Sequence, residues 1–190
     1  SDLLQAMFGR HGDSPLPVLA CSSTADSFET TVEACRIALK YMVPVLLMSD
    51  GYLANASEPW KLPTEAEIPR FDVRLVPAGM GKYLPYERDP ATLARKWAVP
   101  GTPGYEHRIG ALEKEDITGN VSHDPLNHER MTYLRAEKVA RIADELPPTF
   151  IDGDPSGELL IVGWGSTRGA IQGAVRRKRA EGRKLTWVHL

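Results

Sequence analysis

Two apolar runs, LPVLA at 16–20 and VPVLLM at 43–48, enclose a stretch whose apolar residues recur at steps of four and three. Phe28, Val32, Cys35, Leu39 and Met42 fall on one stripe at helical period. Ser22 and Ser23 end the first run, Thr24 can cap the helix with Asp26 in its first turn, and Pro44 stops it. Strands that are apolar on both faces must be covered on both, and joining two of them through a helix implies a parallel sheet. The expected class is therefore α/β.

Residues 61–123 break this pattern. They carry Pro63, Pro69, Pro77, Pro85, Pro90, Pro100 and Pro103 with Gly101 and Gly104, and no periodicity. A segment this long without regular elements is either functional or an excursion between domains. Asp124 and Pro125 then have the chemistry of a cap and a first helical position. Met131, Leu134, Val139, Ile142 and Leu146 line one face of the predicted helix, which stops before Pro147. IDGDPSG at 151–157 reads as a polar linker, ELLIVGWGS as a buried strand, Arg168 to Glu181 as a helix that Gly182 can end, and LTWVHL as a further strand.

Composition narrows the class of function. A formal net charge of -2 gives no global reason to expect nucleic acid or an anionic membrane as partner. Cys21 and Cys35 are too few for an iron–sulfur cluster, a structural zinc site or a disulfide framework. No apolar run approaches the roughly 18 residues of a membrane helix. The opening SDLLQAMFGRHGD lacks a signal-peptide layout, and Leu3, Leu4, Met7 and Phe8 form an amphipathic turn with no preceding cap. The sequence reads as a cytoplasmic piece from the middle of something longer.

Several groups could carry chemistry. Gly163, Gly165 and Gly169 lie between a strand and a helix, where a dinucleotide phosphate could rest on the helix N-terminus. No acidic residue follows the second strand to hold a ribose, so tight-turn packing is the preferred reading and a stand-alone Rossmann-like module the alternative. His107, His123 and His128, with Glu106, Asp124 and Glu129, have ligand types. However, His123 and His128 would fall about 140° apart on a helix, so surface and cap roles fit them better. The basic run Arg176, Arg177, Lys178 and Arg179, with Arg183 and Lys184, is expected to form a solvated face. Cys21 ends a strand with no general base identified by spacing, and Cys35 is expected in the core. Asp50 and Gly51 stand at the carboxyl end of a parallel strand, where open sheets bind ligands, although Asp50 can equally cap a helix through YLANAS.

Longer strings narrow the reading further. SDLLQAMFGRHGDSPLPVLACSS, EACRIALKYMVPVLLMSDGYLANASEPW, GYEHRIGALEKEDITGNVSHDPLNHERMTYLRAEKVARIAD and LLIVGWGSTRGAI, in this order, resemble the alpha subunits of 2-oxoacid:ferredoxin oxidoreductases of the 2-oxoglutarate type. The resemblance implies a parallel-sheet thiamin-diphosphate-binding fold. Residues 1–150 are similar to the second half of the pyrimidine-binding domain with its long excursion, and 151–190 to the start of a transketolase C-terminal-like domain. It implies oxidative decarboxylation of 2-oxoglutarate with coenzyme A to succinyl-CoA, reducing ferredoxin. The beta subunit of that family is expected to share the thiamin diphosphate and Mg2+ and to hold the 4Fe–4S cluster.

No catalytic residue carries over, because the substrate-contacting segments and the carboxylate that activates thiamin are expected upstream. The piece alone is expected to be inactive and to form homo- or hetero-oligomers. His123 stands where the family suggests an aromatic residue and Arg168 where it suggests Tyr. What carries over as site-adjacent is Asp50 and Gly51 in the SDG turn, and Glu106 and His107. A degenerate, non-catalytic interaction protein is a third reading.

Overall fold

The computed structural model describes residues 2–71, 73–110, 112–154 and 156–190; Pro155, inside the stretch read as a linker, lies outside them. The chain forms two compact units, each assembled from three stretches. The first comprises Ser1–Pro17, Cys35–Val45 and Arg70–Leu146; the second comprises Val18–Ala34, Leu46–Pro69 and Pro147–Leu190.

In the second unit, β1 (Val18–Ala20) and β2 (Leu46–Met48) pair in parallel, Val18 opposite Leu46 and Ala20 opposite Met48. The crossover is α2 (Asp26–Tyr41), as the apolar runs imply, its residues up to Ala34 lying in this unit and those from Cys35 in the first. Its start differs by one residue from the expected cap. The Ser23 hydroxyl accepts from the Asp26 N–H at 3.2 Å, and the Asp26 carboxylate accepts from the Ser22 N–H at 2.8 Å. Ser23 stands three residues before an acid, the spacing at which cap and acid can serve each other's orphan donors. Thr24 donates instead to the Leu53 carbonyl at 3.3 Å.

The buried face of α2 is also rotated from the predicted one. Ala34, Ile37 and Tyr41 are buried, Phe28, Val32 and Leu39 are half-buried, and Cys35 is exposed. The helix carries two apolar stripes about 100° apart at the same period, and only tertiary packing selects between them. Its carboxyl end closes with the Val43 N–H donating to the Ala38 carbonyl at 3.3 Å around Met42, whose φ is 47°.

The second sheet is mixed, in the order β3 (Ile151–Asp152), β5 (Leu185–His189), β4 (Leu159–Gly163). β4 and β5 are parallel; β3 runs antiparallel on the other side of β5, inside the stretch read as a linker. Two residues are too few to show a period. Between β4 and β5, α5 (Arg168–Ala180) packs Val175 and Ile171 against Leu185, Trp187 and Ile161. Arg179 does not join the solvated face expected of the basic run. It donates to the Asp152 carboxylate at 2.9 Å and to the Asp152 and Leu185 carbonyls, tying β3 to β5. The long aliphatic stem lets an outward-starting arginine reach back to the sheet edge.

The first unit contains α1 (Asp2–Phe8) and α4 (Pro125–Ile142). The α4 cap is as expected: Asp124 accepts from the Leu126 N–H at 3.1 Å, and Pro125 takes the first position. Met131 and Ile142 are buried, with Leu134, Val139 and Leu146 half-buried beside them. The irregular segment within this unit is pinned by isolated bridges, Leu75 to Trp97, Tyr86 to Ile117, Arg88 to Arg95 and Lys114 to Val121. It buries Val76, Leu93 and Tyr105. Buried Lys114 donates from Nζ to the Gly110 carbonyl at 2.5 Å and to that of Leu112, satisfying two carbonyls with one ammonium.

Candidate functional site

In the second unit the carboxyl ends of β1, β2 and β4 open on one cleft of about 670 Å³, the position at which open α/β sheets bind ligands. β1 delivers Ser22 and Ser23, β2 leads into Asp50 and Gly51, and β4 leads into Ser166 and Thr167.

Asp50 is held by both carboxylate oxygens. Oδ1 accepts from the Leu53 N–H at 2.9 Å, capping α3 (Gly51–Asn55), and Oδ2 accepts from the Ser166 hydroxyl. The Ser166 hydroxyl first, then the Leu53 amide, hold its carboxyl below the usual carboxylate range. Asp50 therefore caps a helix and also anchors the glycine-rich turn. Gly51 opens α3 at the cleft and is exposed. Across the cleft Glu58 accepts from the Ala25 N–H at 2.8 Å; that amide, then the Ser23 hydroxyl, lower its carboxyl as well. Arg168 donates to the Ser22 hydroxyl at 3.0 Å, and that hydroxyl donates to Asp26 at 2.8 Å. This Arg168–Ser22–Asp26 chain was invisible to sequence spacing, because Arg168 lies more than a hundred residues from Ser22 and Asp26.

The glycines of the turn have packing reasons. A Cβ on Gly163 would lie 2.2 Å from the Ile171 Cδ1, and Gly165 has φ 64°, whereas Gly169 faces open space. The His189 ring donates from Nε2 to the Gly165 carbonyl at 3.0 Å, and burial first of all pushes its imidazole below the usual range. Cys21 is buried with its N–H on the Met48 carbonyl, so its thiol offers the cleft no nucleophile.

Glu106 and His107 belong to the first unit. Glu106 is exposed. The His107 Nδ1 donates to the Tyr105 carbonyl at 2.8 Å, which leaves Nε2 as the acceptor of the neutral ring, and the ring meets Tyr83 edge-on at 5.3 Å. Tyr105 is anchored beneath it, donating to the Pro77 carbonyl at 2.5 Å and accepting from the Met80 N–H at 3.0 Å. Of the remaining histidines, His128 pairs with Glu113 at 2.7 Å and His123 is exposed. Among the described residues no group of three or more His, Cys, Asp or Glu is placed to hold a metal ion. Among the same residues no helix is long and apolar enough to cross a membrane.

Residues 1–124 match the family described as pyruvate flavodoxin/ferredoxin oxidoreductase, thiamine diphosphate-binding. The chain belongs to this family. Over its whole length it is 48% identical to the 2-oxoglutarate oxidoreductase subunit KorA of Mycobacterium tuberculosis, of which it covers 29%. It is 32% identical to the alpha subunit of 2-oxoacid:ferredoxin oxidoreductase 1 of Aeropyrum pernix, covering 30% of that protein. Among solved structures, the 2-oxoglutarate:ferredoxin oxidoreductase from Magnetococcus marinus, with 2-oxoglutarate, coenzyme A and succinyl-CoA bound, superposes with a TM-score of 0.88 at 32% identity. That match covers all of this chain and 33% of the other. The chain thus spans about a third of the length of these relatives.

A family that binds thiamine diphosphate raises the question whether this cleft could hold that cofactor unaided. It does not fit. Asp26, Asp50 and Glu58 already accept hydrogen bonds from the protein, and the guanidinium of Arg168 is tied to Ser22. Among the described residues that leaves the cleft neither a free carboxylate for the pyrimidine nor a free cation for the diphosphate. The hydroxyl-lined cleft can position and buttress; among the described residues it carries no nucleophile–base pair.

Proposed function

We propose that the chain is part of the alpha subunit of a 2-oxoacid:ferredoxin oxidoreductase that decarboxylates 2-oxoglutarate oxidatively with coenzyme A, giving succinyl-CoA and reduced ferredoxin. The observation that carries this reading is the superposition of the whole chain, at a TM-score of 0.88 and 32% identity, on an enzyme bound to 2-oxoglutarate, coenzyme A and succinyl-CoA. The 48% identity to a 2-oxoglutarate oxidoreductase subunit supports the same substrate class.

In this reading residues 1–150 belong to the pyrimidine-binding domain and 151–190 begin a transketolase C-terminal-like domain. The thiamin diphosphate, with Mg2+, is shared with a beta subunit that also carries the 4Fe–4S cluster, and the complex works in the cytoplasm. The cofactor supplies the carbanion chemistry. The chain's own share is rigidity. Asp50 fixes α3 and the turn after β4 to one another, and Arg168 fixes the end of β1. Asp50, Gly51, Glu106 and His107 are proposed as neighbours of the site, not as its catalytic groups.

The test is reduction of a low-potential acceptor by the complete alpha subunit co-expressed with its beta partner, supplied with thiamin diphosphate, Mg2+, coenzyme A and either 2-oxoglutarate or pyruvate. Coenzyme A-dependent reduction with preference for 2-oxoglutarate is expected. Preference for pyruvate would overturn the substrate assignment. Silence with both acids, from a complex shown to hold cluster and thiamin, would overturn the enzyme reading.

A further inference from the structure

The second unit has another hollow, at the end of its mixed sheet opposite the cleft. The parallel strands β4 and β5 begin side by side at Leu159 and Leu185, and the last turns of α5 lie over that end. Between helix and sheet runs a groove of about 460 Å³. Leu159, Ile161, Ala174 and Leu185 make it apolar, and Lys178, Glu181 and Arg183 stand around it. Ala174, Lys178 and Glu181 follow at steps of four and three, so the helix presents them along one line.

The charge around this groove opposes that of the rest of the chain. Arg176, Arg177, Lys178, Arg179, Arg183 and Lys184 fall within nine residues that hold one acid, Glu181. The remaining residues carry 17 Lys or Arg against 24 Asp or Glu. Arg179 is tied inward to Asp152; the other five cations are exposed. Lys178 meets Glu181 at 2.7 Å and Arg183 meets Glu158 at 3.5 Å, both in solvent, where such pairs are weak and exchange readily. Among the described residues Arg176, Arg177 and Lys184 have no carboxylate partner. The helix dipole accounts for cations in the last turn of α5, but not for Arg183 and Lys184, which lie past it.

We propose that this groove docks an acidic protein segment through one apolar side chain, with the carboxylates beside that side chain pairing with Lys178, Arg183 and their unpaired neighbours. The patch calls for an anionic partner, and the aliphatic floor calls for an apolar group set among the partner's charges. A nucleic acid has no aliphatic side chain to insert, and among the described residues no aromatic ring lines the groove for a base to stack on. A helix lying on a membrane needs apolar side chains that project, whereas these line a hollow. The incoming carboxylates replace Glu181 and Glu158, so docking leaves neither cation unpaired. The inference does not rest on the proposed reaction, and its test measures no oxidoreductase activity.

The experiment is fluorescence anisotropy of the full chain at low ionic strength, where charge pairing is least screened. The labelled probes are a short peptide of Glu and Asp around a central Leu, the same peptide with Ser in that place, and a short duplex DNA. The Leu peptide is expected to bind saturably and at least about tenfold more tightly than the Ser peptide, the scale of burying one leucine side chain. The double variant Lys178→Glu, Arg183→Glu should bind it about tenfold or more weakly. Ala174→Trp fills the groove without changing charge and should bring the Leu peptide down to the level of the Ser peptide. All three positions are exposed. Equal affinity of wild-type chain for the two peptides, DNA bound as tightly as the Leu peptide, or no binding of the Leu peptide by folded wild-type chain would overturn the proposal, and so would unchanged affinity in either variant. The wild-type comparisons need no variant to fold.

Discussion

Gly163 and Gly169 occupy the same motif and face opposite surroundings. A methyl at 163 would meet the Ile171 Cδ1 at 2.2 Å, whereas at 169 it would meet nothing within 4 Å. Gly163→Ala is therefore expected to cost about 1–3 kcal/mol through overpacking. Gly169→Ala, inside α5, should stabilise by about 0.5–1 kcal/mol by restricting the unfolded chain. Urea midpoints would check both, and equal effects would mean that the packing account is wrong.

Lys138 makes a pH prediction of its own. Its folded ammonium titrates near 8, below the ordinary value of about 10.4 in the unfolded chain. The unfolded state therefore binds more protons between those values, and stability rises with pH across that window. The gain should be on the order of 2–3 kcal/mol from pH 7.5 to 10.5. It should flatten in Lys138→Met. Denaturant titrations at fixed pH would show a level profile in both proteins if the lysine were solvated.

At the scale of elements, the carboxyl end of α2 turns on a methionine in a conformation that glycine adopts freely. Met42 has φ 47° and closes the helix with the Val43 to Ala38 bond. Met42→Gly should stabilise by up to about 1 kcal/mol, reduced by the packing that the half-buried side chain gives up. Thermal melts would read it, and a loss of several degrees would show that packing outweighs backbone strain.

The elements also show what a sequence can carry. α4 was legible at both ends because Asp124, Pro125 and Pro147 act locally. The parallel pairing of β1 and β2 followed from runs apolar on both faces. Cys35 was misplaced because α2 offers two stripes, Ala34–Ile37–Tyr41 and Phe28–Val32–Cys35, at one period. β3 and the inward turn of Arg179 depend on partners about thirty residues away, such as Asp152, and no local pattern reports them. The cleft was legible in part. Asp50 was found by its place after a strand, but its bond to Ser166 and the Arg168 to Ser22 contact are long-range.

Across the whole molecule, order is spread unevenly within each unit. β5 lies between two other strands and buries Leu185, Thr186 and Trp187, whereas residues 64–71 are exposed throughout. Hydrogen exchange should accordingly be slowest at the amides of β5 and at the buried turns of α2 and α4 around Ile37 and Met131. Exchange of β5 amides as fast as those of 64–71 would contradict the core assigned to the second unit.

The interleaving of the two units has a consequence for biosynthesis. The first unit takes its last stretch from Arg70–Leu146, while the second waits for Pro147–Leu190. On the ribosome, β1 and β2 emerge long before Pro147–Leu190, the later stretch of the unit they share. Long waits of this kind expose unpaired strand edges, which places the burden of chaperone protection on the segment carrying β1 and β2.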